Sequence, residues 1–310
     1  MKALVERALG FHALSVADLI AIFEDDRATA GDARREVLAI LASHPQRRDG
    51  LVVGVTGTPG SGKSTLLGKL VLAVSGEARL PIAVVAVDPS SLSSGGALLG
   101  DRVRVHLPID RPELFFRSQA SQSELGGLGP RTYPVCQLLR LLFDVVFVET
   151  VGIGQSELDV RWLADRMYLV MQPLGGDEVQ LLKAGVLEVP DAVVVSKCDE
   201  GVPARRLIAA LAVALPLTRV LAAPPAVIRT SALTGEGVAE LAADILAHRA
   251  APRTSDAEKD ARYFAQWVRA EWGRAGERML VASRGAVELL KFEPDLDRAE
   301  ARFDALMRNA

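Results

Sequence analysis

Leu51-Val-Val-Gly-Val-Thr-Gly57-Thr-Pro-Gly-Ser-Gly-Lys63-Ser64-Thr65-Leu-Leu-Gly-Lys-Leu-Val-Leu-Ala-Val74 decides the fold. Its first six residues are an apolar, β-branched run, its middle is rich in glycine, and its last ten suit a helix, so it reads as strand, loop and helix. Residues 57–64 satisfy the pattern Gly-x-x-x-x-Gly-Lys-Ser. In that setting the glycines let backbone N–H groups turn inward around phosphate oxygens, and the helix N-terminus adds a favourable dipole. Lys63 is placed to reach the β and γ phosphates, and Ser64 to ligate magnesium. Gly57, Thr58, Pro59, Gly60, Ser61, Gly62, Lys63, Ser64 and Thr65 are therefore the candidate phosphate-binding residues.

Outward from this stretch, further apolar runs alternate with helical patterns. They are Ile82–Val87, Asp144–Glu149, Met167–Met171, Ala192–Ser196 and Ala226–Thr230. Runs without polar alternation suit strands covered on both faces, which predicts a mostly parallel sheet flanked by helices, the α/β architecture of a P-loop nucleotide hydrolase. Before it, Leu19, Ile20 and Phe23, then Val37, Ile40 and Leu41, recur at helical spacing, with Ser15 and Asp18 forming an expected N-cap. After Pro252, Ala261, Phe264, Val268 and Trp272 share one helical face, and a second helix is expected after Gly276. The expected division is a helical extension over residues 1–48, a nucleotide-binding domain over 49–250 and a helical C-terminal arm over 251–310, which packs on its own domain or pairs two copies.

Composition narrows the class. In 310 residues the formal net charge is -3, and the pI is near 5.9, so no basic field favours nucleic acid or an anionic membrane. Glu6 and Arg7 interrupt the start where an export signal needs an apolar stretch. The longest apolar run, Leu207 to Leu217, contains Pro216 and falls short of the roughly 18 residues of a spanning helix. Two cysteines, Cys136 and Cys198, fit a reducing compartment. The expectation is a cytoplasmic protein without nucleic-acid or membrane partners.

The metal and base sites are sought at other strand ends. Glu149 closes the run DVVFVE and precedes Thr150-Val151-Gly152, the form of an acidic magnesium-site residue ahead of a γ-phosphate-sensing glycine. Asp88, at the end of IAVVAV, and Asp101, after a glycine-containing loop, are further candidate carboxylates for the metal; their other reading is turn or capping aspartates. Ser196-Lys197-Cys198-Asp199 follows a strand as the guanine-reading Asn-Lys-x-Asp motif does. There Asp199 would accept from the guanine N1 and N2 hydrogens and Lys197 would lay its stem over the ring. Ser196 replaces the expected Asn, and a hydroxyl reaches fewer partners than an amide. Ser231, Ala232 and Leu233 follow another strand and resemble the loop whose backbone meets the guanine oxygen. Lys63, Asp88, Asp101 and Glu149 are the candidate catalytic residues, with GTP or GDP and magnesium as the expected ligands.

Read with Val87–Ser91, Gly95 to Asp101, Glu149-Thr-Val-Gly-Ile-Gly-Gln-Ser-Glu157 and Gly176-Asp177-Glu178, these elements resemble the MeaB/ArgK/MMAA family of P-loop GTPases over roughly residues 53–231. The resemblance implies a G-protein chaperone that couples GTP hydrolysis to cofactor loading and protection of an adenosylcobalamin-dependent acyl-CoA mutase. It also implies that Asp88, Asp101 and Glu149 surround magnesium, that Gly175–Lys183 senses nucleotide and partner, and that the C-terminal arm forms a homodimer. This chain departs from the family in Ser196 and in Ala184, which follows Lys183 where a second lysine is common. Gln155 stands three residues past Gly152 and is not assigned as the water-orienting residue. A metallochaperone GTPase and an ATP-dependent kinase or transport ATPase are the alternatives. The first lacks support from the four dispersed histidines, His12, His44, His106 and His248, and the second is separated by the base-reading residues.

Overall fold

The computed structural model describes residues 1–27, 29–88, 108, 110–120, 128–150, 156–173, 190–217, 224–249, 256–283 and 285–309; the side chains of Asp88 and of residues 156–159 are not among what it describes. The chain forms two compact units. One comprises Met1–Arg47, Pro130–Leu138 and Pro252–Ala310, the other Arg48–Gly129 and Leu139–Ala251.

The second unit is built on a parallel seven-stranded sheet among the described residues. Its strands are β1 (Leu51–Gly57), β2 (Ile82–Asp88), β3 (Leu114–Ala120), β4 (Val145–Thr150), β5 (Arg166–Met171), β6 (Ala192–Val195) and β7 (Ala226–Arg229), in the order β3-β2-β4-β1-β5-β6-β7. Six of these strands match the apolar runs. β3 does not, because Arg117, Ser118 and Gln119 interrupt Leu-Phe-Phe and give this edge strand a polar look. It joins the sheet through β2, with Ile82 opposite Leu114 and Val85 opposite Arg117.

Successive residues of a strand point to opposite faces, and here both faces are apolar. Tyr168 and Val170 of β5 pack with Leu66, Leu70 and Val74 of α4 (Lys63–Ser75) and with Val238, Leu241 and Ile245 of α8 (Val238–Arg249). Leu169 and Met171 pack on the other face with Leu207 and Leu211 of α7 (Val202–Ala214). Over β1, α6 (Ser156–Leu163) lies so close that a Cβ on Gly54 would stand 2.3 Å from Val160 Cγ1. That contact explains a glycine in the centre of the central strand.

The other unit is helical. Its N-terminal part holds α1 (Lys2–Leu9), α2 (Ala13–Glu24) and α3 (Ala30–Ser43). The start of α2 differs from the expectation: His12 is the N-cap and its ring nitrogen accepts from the Ser15 N–H at 3.3 Å, so Ser15 lies in the first turn. The C-terminal part holds α9 (Asp256–Ala282), α10 (Ala286–Phe292) and α11 (Leu296–Arg308). The interruption of α9 falls at Gly273, with φ 52° and ψ -143°, and not after Gly276, which is helical and packed against Trp272. Phe264, Val268, Leu280, Leu290 and Phe303 form a core among these three helices, with Phe264 and Phe303 edge to face.

A buried polar cluster joins the unit's separate segments. Arg131, just before α5 (Thr132–Leu142), donates to Asp26 at 2.7 Å, to Tyr263 Oη at 2.9 Å and to Glu300 at 3.0 Å, while Tyr263 donates to Glu300 at 2.8 Å. Tyr133 stacks on Tyr263 and donates to Asp260 at 2.7 Å. Burial opposes the charge on Arg131, yet Tyr263, Glu300 and Asp26 hold its pKa above the ordinary guanidinium value. Burial pushes the Glu300 carboxyl up by more than Arg131 and Tyr263 pull it down. Breaking such a pair from one side leaves a buried charge, which costs about 3–5 kcal/mol.

Arg131→Met is therefore expected to lower the unfolding free energy by about 3–5 kcal/mol at pH 8. The sign of the pH dependence follows from the carboxyl. Removing Arg131 raises its folded pKa further above the unfolded value, so stability is lost as pH climbs from the unfolded through the folded value. Urea denaturation at pH 5 and pH 8 checks this; the deficit should be smaller at pH 5, and an equal deficit at both would refute the assignment.

Candidate functional site

The site lies where β1, β2, β4, β5 and β6 end, the carboxyl edge at which open parallel sheets present their ligand loops. The turn Gly57–Gly62 links β1 to α4. Gly57 has φ 143°, and a Cβ there would stand 2.0 Å from the Val170 carbonyl oxygen of β5. Gly60 and Gly62 have φ 78° and 83°, in the left-handed region that glycine enters without steric cost. Ser61 N–H closes the turn on the Thr58 carbonyl at 3.2 Å, and Leu66 N–H on Gly62 at 2.9 Å. Pro59 and Thr65 are exposed on either side.

Lys63 is 7% exposed, and its ammonium donates to the Gly57 and Thr58 carbonyls at 2.7 and 3.0 Å. The cation therefore sits inside the turn, at the N-terminus of a 13-residue helix. A glycine-rich turn, a helix N-terminus and an ammonium together make an anion site.

Beside it, Ser64 Oγ donates to Glu149 Oε1 at 2.7 Å. Glu149 is buried in β4 opposite Val55, and its neighbour Thr150 donates to the Thr56 hydroxyl at 3.0 Å, so the two strand ends are tied. A hydroxyl and a carboxylate are the hard oxygen donors that magnesium prefers, and Ser64 and Glu149 fit such an ion. Asp88 is the last residue of β2, two positions past Ala86, the partner of Glu149. Asp101, Gly152, Gln155 and the Gly175–Lys183 segment with Ala184 lie outside the described residues.

The base-reading candidates come from the ends of β6 and β7. Ser196 is buried, and its hydroxyl donates to the Ser61 carbonyl at 2.7 Å and to the Met171 carbonyl at 3.1 Å. The shortened side chain that replaces asparagine thus joins the glycine-rich turn to β5. Lys197 has φ 51° and donates to Gln172 Oε1 at 2.7 Å; its Cε stands 3.9 Å from where a Cβ on Gly62 would be. Asp199 is exposed in the 3₁₀ turn Cys198–Glu200, a position open to a ligand. Cys198 N–H donates to the Thr230 carbonyl at 3.0 Å, which brings Ser231, Ala232 and Leu233 beside that turn. Ser231 is buried, with its N–H on the Glu236 carbonyl, while Leu233 is 85% exposed.

Sequence reasoning missed Gln172 and the tether made by Ser196. The available signal for Gln172 was its place: a polar residue directly after the apolar run of a strand beside β1, at the same edge as the glycine-rich turn.

The chain matches the family described as methylmalonyl Co-A mutase-associated GTPase MeaB over residues 16–286. A Pyrococcus horikoshii protein named as a GTPase is 40% identical over 250 residues, 79% of this chain and 77% of its own length. The mitochondrial mouse homolog of the methylmalonic aciduria type A protein is 39% identical over 220 residues, 67% of this chain and 52% of its own. Among solved structures, a LAO/AO transport system kinase superposes with a TM-score of 0.63 at 26% identity, covering 94% of this chain and 86% of its own. With a P-loop site on a parallel sheet and a family match spanning most of its length, the chain belongs to the MeaB family of P-loop GTPases.

Proposed function

We propose that this GTPase uses its nucleotide state to gate adenosylcobalamin loading, and to protect an acyl-CoA mutase of the methylmalonyl-CoA mutase kind. The observation that carries the nucleotide half is the Ser64–Glu149 pair at 2.7 Å beside a buried Lys63 in the glycine-rich turn. Support for the partner half is family membership, since the matched family is described by its association with that mutase.

In this reading residues 57–65 cradle the triphosphate, and Lys63 turns from its own loop carbonyls to the β and γ oxygens as negative charge develops there. Ser64, Glu149, Asp88 and Asp101 hold magnesium, which supplies further positive charge beside the phosphates. Gly152 senses the γ-phosphate. Asp199 accepts from the guanine N1 and N2 hydrogens, and Lys197 covers the ring, with Ser231, Ala232 and Leu233 along the base edge. Hydrolysis by the chain alone is slow, because no base or arginine finger is among the assigned residues, and a partner that orders the loops accelerates it. The protein acts in the cytoplasm as a homodimer paired through the C-terminal arm, where Val281, Val287 and Phe292 are exposed.

Equilibrium titration with a nonhydrolysable GTP analogue and magnesium is expected to give binding to the parent and loss of about a hundredfold or more in Lys63→Ala. Asp199→Asn should lose guanine affinity by a similar factor and gain relative affinity for xanthosine triphosphate, whose 2-oxo group an amide can meet. Parental affinity in both variants would sink the nucleotide assignment.

Mixing the chain with an adenosylcobalamin-dependent acyl-CoA mutase should yield a complex on size exclusion and raise the single-turnover GTP hydrolysis rate by tenfold or more, on the order of a partner's ordering effect. No complex and an unchanged rate with any such mutase would exclude the chaperone role.

A further inference from the structure

Gln172 leaves β5 beside the site, and neither the motifs nor the reading above gives it a role. The register pairs Met171 with Val195, so Gln172 and Ser196 exit the sheet side by side. Ser196 fastens this exit: its N–H and its hydroxyl both donate to the Met171 carbonyl, at 2.8 and 3.1 Å. The next residue, Lys197, adopts a left-handed backbone with φ 51°, uncommon for a lysine. Its ammonium meets Gln172 Oε1 at 2.7 Å. An ammonium only donates, so the amide must turn its oxygen to Lys197 and its nitrogen away. That nitrogen lies 3.8 Å from where a Cβ on Gly60 would stand, so one side chain reaches both the base-reading lysine and the phosphate turn.

We propose that Gln172 is a positioning residue for nucleotide recognition, which holds Lys197 so that its stem is set over the base before the nucleotide arrives. This rests on the GTP reading above. A lysine side chain is long and flexible, and restricting it in the free protein removes part of the ordering cost of binding. A neutral amide suits the task. It fixes the ammonium without cancelling its charge, which a carboxylate at the same place would do, and the charge remains available to nucleotide oxygens. The effect concerns the base and ribose end of the ligand, because the phosphates are held by Lys63 and the glycine-rich turn.

The test compares the parent, Gln172→Met, Lys197→Met and the double variant of the full chain by calorimetric titration with two ligands. One is a nonhydrolysable GTP analogue and the other inorganic tripolyphosphate, both with magnesium. Gln172→Met keeps the length and loses the acceptor, and is expected to bind the analogue about tenfold more weakly. Its tripolyphosphate affinity should match the parent's, a split that loosening of the phosphate turn would not produce. The double variant should bind no more weakly than Lys197→Met alone, since both remove one interaction. Gln172→Asn keeps the amide one methylene too short and carries the same expectation should the methionine variant fold poorly. Parental affinity for the analogue in the Gln172 variants overturns the proposal, as does an equal loss for both ligands or strict additivity in the double variant. A parent that binds neither ligand sinks the GTP reading, and this proposal with it; a parent that binds both, with variants that match it, sinks this proposal alone.

Discussion

Gly57 sits at the end of β1 with its Cα so near the Val170 carbonyl that no side-chain atom fits between them. That close approach of two parallel strand ends is the constraint on which the site depends. It lets the chain leave the sheet at once and turn back, so that the first residues of α4 face the loop they follow. A residue with a Cβ would push β1 and β5 apart at the end of their ladder. The shape of the glycine-rich turn is thus a consequence of how tightly the centre of the sheet is packed.

From that point the site is assembled by ties between strand ends. Thr150 bonds Thr56 across β4 and β1, Ser196 bonds the Ser61 and Met171 carbonyls, and Cys198 bonds Thr230. Each tie satisfies a polar group at the edge of an apolar core, where an unmade hydrogen bond costs about 1–3 kcal/mol. Each also fixes the spacing between two loops that a nucleotide would have to touch together. Stability and geometry therefore come from the same bonds. In the helical unit Arg131 plays a comparable part, holding segments far apart in sequence through Asp26, Tyr263 and Glu300.

Much of this was legible in the sequence, for definite reasons. The glycine-rich turn is a contiguous motif with one glycine at each place that needs a positive φ, so Gly57, Gly60 and Gly62 declared it. Strands covered by helices show as continuous apolar runs, and six of the seven described strands were found by them. The seventh, β3, was hidden because an edge strand tolerates Arg117 and Gln119, which mimic a loop. Gly276 looked like the helix break in the C-terminal arm, yet Gly273 takes the positive φ, because Gly276 is needed for close packing on Trp272.

The sequence by itself determined the glycine-rich turn, the parallel α/β sheet and the family, since each is written in neighbouring residues whose backbone preferences and burial are local. Only the tertiary structure decided what Ser196, Gln172 and Arg131 touch. Ser196 meets a carbonyl 135 residues away and Arg131 a carboxylate 169 away, and such bonds depend on how strand ends and helices are brought together in space. No periodicity or motif carries that information, because a hydroxyl, an amide or a guanidinium finds its partner by distance and direction, and both are set only once the chain has folded.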